Sequence, residues 1–352
     1  MDRFFQKKVQ PDFNGFRECI LRKGNPQRVF SIEIYQNPNV NDAIIKRFDL
    51  ARGLDPNHPF HFYQQEMVLQ KFLGYDMVKC YIALSFPSEI DGKKHKASIS
   101  EDVVASGPIQ NWEDFERYPW PKVSDLDLSA LDCLEKELPK NMGCRVDTPI
   151  GLYKMLLGYE DMLYLMYDNP ALMKAVFEKI TGIMVDFARI ICQHSCVGVI
   201  WGMDDMGFRT QTFFPPDFMR ANILPMHQSL AQVAHAHDKL YFIHACGNLE
   251  EIMNDLIDVV KIDAKHSFED GILPVWEAKK KYGDRVALLG GVDIDFLCRA
   301  DESALRKRVR EILEACLPGG GYCLGSGNSI ADYVPLDNYL IMLDEGRNFN
   351  IQ

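Results

Sequence analysis

The chain has 352 residues, 47% of them hydrophobic and 25% charged, which excludes a disordered or fibrous polymer and leaves room for a large core. A net charge of −11 gives no basic excess, and no run of Lys and Arg interleaved with aromatics tracks a phosphate backbone, so no nucleic-acid partner is expected. No stretch approaches the roughly 18 uncharged apolar residues that span a bilayer, and no membrane association is expected.

The opening residues MDRFFQKKVQPDF contain neither an apolar signal core nor a cleavage site, which predicts a cytoplasmic protein. Ten cysteines scattered through such a chain read as reduced thiols rather than a disulfide framework. Residues 1–75 read mainly helical, with helices over 40–50 and 63–73 and breaks such as GLDPNHP at 53–59. They are expected to pack as an extension on the rest of the chain, 76–352. From residue 77 onward, short β-branched runs at 77–84, 145–148, 197–202, 240–246, 259–262, 286–290 and 321–324 predict strands. Between them lie segments of helical period, 170–193 and 216–237 among them. This alternation predicts parallel βα units, either a (β/α)8 barrel with one strand missed or a doubly wound sheet, and periodicity does not separate the two.

In LYFIHACGN, 240–248, an apolar strand ends in His-Ala-Cys, and side chains two apart on a strand share a face. His244 and Cys246 are therefore expected to converge at a strand's carboxyl end, where barrel enzymes place catalytic groups. A third soft donor, Cys323, lies in GGGYCLGSGNSI, 319–330. Two thiolates and one imidazole suit Zn²⁺ and leave a fourth position open, the mark of a catalytic site. The competing reading is buried thiols and a satisfied core histidine. A second His-x-Cys, His194 and Cys196, follows the helical segment 170–193 and shows how cheaply the short motif arises. His235 and His237 read as solvent-facing.

The segments TPIGLYKMLLGYEDMLYLMYDNPALM, WGMDDMGFRTQTFFPPDFMRANILP, HACGN, ALLGGVDIDFL and GGGYCLGSGNSI resemble the uroporphyrinogen decarboxylase superfamily over about residues 60–350. Within it they are most similar to the zinc-dependent corrinoid methyltransferases that methylate coenzyme M. The resemblance implies a (β/α)8 TIM barrel with the helical extension in front, and zinc held by His244, Cys246 and Cys323. It further implies a methyl group moved between a methylated corrinoid, carried as co-substrate on a corrinoid-binding partner protein, and a small thiol. A demethylating variant acting on a methyl ether or amine would use the same ligands. The true decarboxylases use no metal and carry an arginine-rich amino-terminal signature; Arg17, Arg22 and Arg28 are not arranged that way, which disfavours a metal-free decarboxylase and makes it the alternative.

Carboxylates at expected strand ends offer further roles. Asp205 and Asp263 are the candidates for orienting the histidine, completing the coordination or positioning substrate, with helix capping as the competing use. Asp204, His266 and Asp293 fall in comparable places, Asp76 precedes the first strand, and the run Gly319–Gly321 reads as a tight turn. No residue pattern identifies the methyl donor or acceptor or settles the oligomeric state, for which a homodimer stays open.

Overall fold

The computed structural model describes residues 3–88 and 106–351. Among the described residues, seven strands form one all-parallel sheet in sequential order: β1 Met77–Cys80, β2 Gly143–Thr148, β3 Val197–Met203, β4 Leu240–His244, β5 Ala264–His266, β6 Ala287–Leu289 and β7 Tyr322–Cys323. Helices connect successive strands, and the architecture is α/β and TIM-barrel-like. β3, β4 up to His244, and β6 read as continuous apolar runs because both faces are buried. In β3 and β4, Val199, Trp201, Leu240 and Phe242 join one core cluster, while Val197, Ile200, Tyr241 and Ile243 join the other, which is packed with the surrounding helices.

Three helices precede β1: α1 Phe13–Ile20, α2 Pro38–Arg47 and α3 His61–Leu73. Phe16, Cys19 and Ile20 of α1 belong to the inner cluster with Val199 and Trp201, so α1 closes the amino-terminal end of the sheet. Gly198 permits this approach, since a Cβ there would lie 2.0 Å from the Phe13 ring. Between α1 and α2 the chain is extended rather than helical. Ser31 bridges Leu324 and Gln36 bridges Ile330, both in parallel sense, so residues 31–36 lie along the outer edge of β7 where an eighth strand would stand.

The expected strand at 259–262 is a correction. A short helix, Met253–Asp255, continues as π-helical turns over Leu256–Val260, Lys261 takes a left-handed conformation, and the strand begins only at Ala264. The β-branched pair Val259–Val260 reads locally as strand, but Leu256, Ile257 and Val260 bury a helical face. No helix among the described residues is long and apolar enough to cross a membrane.

Candidate metal centre

His244 is the last residue of β4, and Cys246 lies just beyond it. Gly247, at φ +87, turns the chain so tightly against the loop after β3 that a Cβ there would come within 2.0 Å of the Gly207 carbonyl. That contact brings the two loops together, and Asp205 Oδ1 accepts a hydrogen bond from the Cys246 N–H at 2.8 Å. His244, Cys246 and Asp205 form one of two groups among the described residues in which three possible metal donors converge. The other, Asp132, Glu135 and His194, lies towards the surface, where Glu135 also accepts from the Ser195 hydroxyl.

The donor set and its spacing fit a zinc ion. Tetrahedral coordination with Zn–S near 2.3 Å and Zn–N or Zn–O near 2.1 Å requires an N···S edge of about 3.6 Å and an N···O edge of about 3.4 Å. His244 Nε2 lies 3.6 Å from Cys246 Sγ and 3.4 Å from Asp205 Oδ1.

Neighbouring residues orient these donors. His266, fully buried at the end of β5, places its Nδ1 2.8 Å from His244 Nδ1. Burial first, and His244 second, hold the His266 imidazole well below its ordinary pKa, so it stays neutral. A neutral His266 protonated on Nε2 accepts from His244 Nδ1–H and leaves the His244 Nε2 lone pair free. Asn328 Nδ2 donates to Cys246 Sγ at 3.2 Å. Burial, reinforced by the Asp205 carboxylate, pushes the Cys246 thiol up to about 12. Burial would raise the Asp205 carboxyl, but its bond and charge interaction with His244 and the Cys246 N–H hold it below the usual carboxylate range.

Asp204 lies beneath this turn. It is buried, accepts from Tyr153 at 3.0 Å, meets His227 Nε2 at 3.2 Å and pairs with Lys154 at 2.5 Å. Lys154 also donates to the Asp205 carbonyl, so the network anchors the backbone that carries Asp205.

Two expected site residues are placed elsewhere. Cys323 is fully buried inside the sheet beside Cys19 of α1, which donates to the Tyr322 carbonyl at 3.4 Å; Cys323 is not in the group with His244 and Cys246. The residue of that Gly-rich segment which reaches Cys246 is Asn328, five positions on. Asp263 follows no strand; it precedes β5, and its Oδ2 accepts from the Tyr241 N–H at 2.7 Å and meets His235 Nε2 at 2.8 Å. It therefore stands at the amino end of the sheet, opposite His244. Asp293 caps the helix Ile294–Arg299, and Asp76 accepts from the Asp12 N–H at 2.7 Å and pairs with Arg28. Gly319, Gly320 and Gly321 all have positive φ and form the turn into β7. Sequence reasoning missed Asn328, and no local signal singled it out.

A model of the uroporphyrinogen decarboxylase (URO-D) family matches residues 62–349. The chain belongs to the uroporphyrinogen decarboxylase family. Among curated relatives, a uroporphyrinogen decarboxylase of Cupriavidus necator is 36% identical over 72 residues, 20% of each chain. One of Coxiella burnetii is 30% identical over 104 residues, 30% of this chain and 27% of that one. The matched segments thus span only about a quarter of those relatives. Among solved structures, a methyltransferase from Methanosarcina mazei has a TM-score of 0.65 at 17% identity, covering 96% of this chain and 99% of that one. That likeness shows a shared fold. Both His244 and Cys246 lie within the family match, and residues 31–36, along the edge of β7, lie outside it.

Proposed function

We propose that this member of the uroporphyrinogen decarboxylase family is a zinc-dependent methyltransferase whose metal donors are His244, Cys246 and Asp205. The methyl group would pass between a corrinoid carried on a partner protein and a small thiol. The reading is carried by the convergence of one imidazole, one thiol and one carboxylate, at tetrahedral spacing, at the carboxyl end of a parallel sheet. The structural neighbour described as a methyltransferase supports it. Zinc, when bound, supplies the positive charge that keeps a thiol of free pKa near 8.5 in its nucleophilic thiolate form at neutral pH.

The chain's own residues position and tune that group. His266 holds the ring of His244 through the contact between their Nδ1 atoms. Asn328 donates to the Cys246 sulfur and lowers the cost of carrying negative charge there. Lys154, Tyr153 and His227 hold Asp204 and with it the turn that presents Asp205. The same donors in a Lewis-acid role would serve demethylation of a methyl ether or amine. A metal-free decarboxylase is the rival favoured by the names of the curated relatives.

Metal analysis of the purified chain, followed by incubation with methylcobalamin and a panel of small thiols, tests the proposal. The expected result is close to one zinc per chain and a methylated thiol. Folded protein with no affinity for zinc would overturn the metal site. Zinc without thiol methylation, and without demethylation of ethers or amines, would overturn the chemistry.

A further inference from the structure

Residues 31–36 run beside β7, but no strand ladder joins them to β1 among the described residues. The seam between them holds a polar cavity whose wall includes Glu33, Asn41, Glu66, Lys79 and Arg145. Tyr35 and Tyr81, both exposed, also line it, so it opens at the carboxyl end of the sheet. None of these residues takes part in the metal centre described above.

Two groups in this wall lack partners. Arg145 is only 6% exposed; its Nη2 donates to the Ile34 carbonyl and its guanidinium lies 4.5 Å over the Trp201 ring, yet its buried Nη1 meets nothing. Asn41 donates to Glu66 Oε1 at 3.2 Å and leaves its own buried Oδ1 without a donor. Lys79 is engaged with Asp147 at 2.7 Å. The residues that carry one open donor on a cation and one open acceptor beside a carboxylate thus line one cavity, and a buried polar group without a partner is costly.

The fixed charges restrict what can enter. Glu33 is held protonated at neutral pH by its burial, and Glu66 in the wall with Asp147 behind it balances Lys79 and Arg145, so a purely anionic ligand meets two carboxylates and a purely cationic one an ammonium and a guanidinium. Either would add net charge to a poorly solvated space, whereas a ligand carrying both signs adds none. We propose that the seam cavity binds the zwitterionic head group of a small α-amino acid, with its carboxylate on Arg145 Nη1 and its ammonium on Asn41 Oδ1 beside Glu66. The inference does not depend on the metal. Its link to the metal centre is one loop: Glu33 accepts from the Ser326 N–H at 2.7 Å and hydroxyl at 2.6 Å, and two residues later Asn328 donates to Cys246.

Calorimetric titration of the full chain with L-alanine, L-serine and L-methionine tests the inference, each compared with the amine lacking its carboxylate and the acid lacking its amino group. At least one amino acid should bind about tenfold or more tightly than both of its singly charged analogues, the discrimination expected of one charge-assisted contact. Arg145→Met should remove the preference over the amine. Asn41→Leu, at a partly exposed position, should remove the preference over the acid. Both preferences should persist in Cys246→Ala, which separates this site from the metal reading. Equal binding of amino acid, amine and acid, or no binding of any amino acid tested, would overturn the inference.

Discussion

Replacing Cys246 and Cys323 separately by alanine distinguishes the proposed metal centre from the one the cysteine pattern suggested. Cys246 Sγ lies 3.6 Å from His244 Nε2 and supplies one of three donors, so its loss leaves a histidine and a half-exposed carboxylate. Loss of outer partners of a metal site typically costs 10- to 100-fold in affinity, and loss of a ligand should exceed the upper figure, about 3 kcal/mol. Cys323 is fully buried beside Cys19 and outside that group. Cys323→Ala removes one sulfur from the interior, comparable to a buried methylene, and should cost about 1 kcal/mol of stability with zinc affinity unchanged. The assay is zinc content after equilibration against chelators of graded strength, with a thermal melt of each variant. The expected pattern is zinc lost in Cys246→Ala and in Asp205→Ala, and retained in Cys323→Ala with a small drop in Tm. Zinc stripped by Cys323→Ala but retained by Asp205→Ala would refute the assignment.

His266→Leu removes the partner of His244 Nδ1 and should weaken zinc binding by about 10- to 100-fold in a folded protein, measured by competition with a chelator. Asp263→Ala leaves the Tyr241 N–H unsatisfied and should cost about 1–3 kcal/mol in denaturant unfolding, while activity per folded molecule stays unchanged. Glu33 makes stability depend on pH, because burial raises its carboxyl from an ordinary value of 4.5 to about 8. Between those values the folded state holds a proton that the unfolded state has released, so this contribution is full below about 4.5 and is lost as pH rises through about 8. In Glu33→Gln, the fall in Tm between pH 5 and about 8.5 should be shallower than in the parent chain; an identical slope would show that Glu33 ionises normally.

The features legible in the sequence are those set by local pattern. Short runs rich in β-branched and apolar residues mark six of the seven strands, most plainly β3, β4 and β6, because a parallel sheet covered by helices needs no polar alternation. His244 and Cys246 are legible for the same reason, as residues two apart at the end of such a run. Where local and tertiary preferences disagree, reading along the chain fails. Val259 and Val260 have strand character, yet the apolar face of 256–260 is buried in helical form, and the strand moves to 264–266. That displacement carries Asp263 from the carboxyl end of an expected strand to the amino end of the real one, and with it from the site to the far side of the sheet. Cys323 lies in the expected strand, but its side chain faces Cys19, while the chain needs five more residues to bring Asn328 to Cys246. Asp205 depends on the Gly207–Gly247 contact to reach Cys246, and the seam cavity on residues 31–36, which are not helical and bridge Leu324 and Ile330 just after β7. Pattern along the chain therefore determined which residues form strands and offered one histidine–cysteine pair. Only packing between loops distant in sequence decided which carboxylate joins that pair, which cysteine does not, and where unpaired polar groups meet, because those contacts depend on where each strand ends in three dimensions.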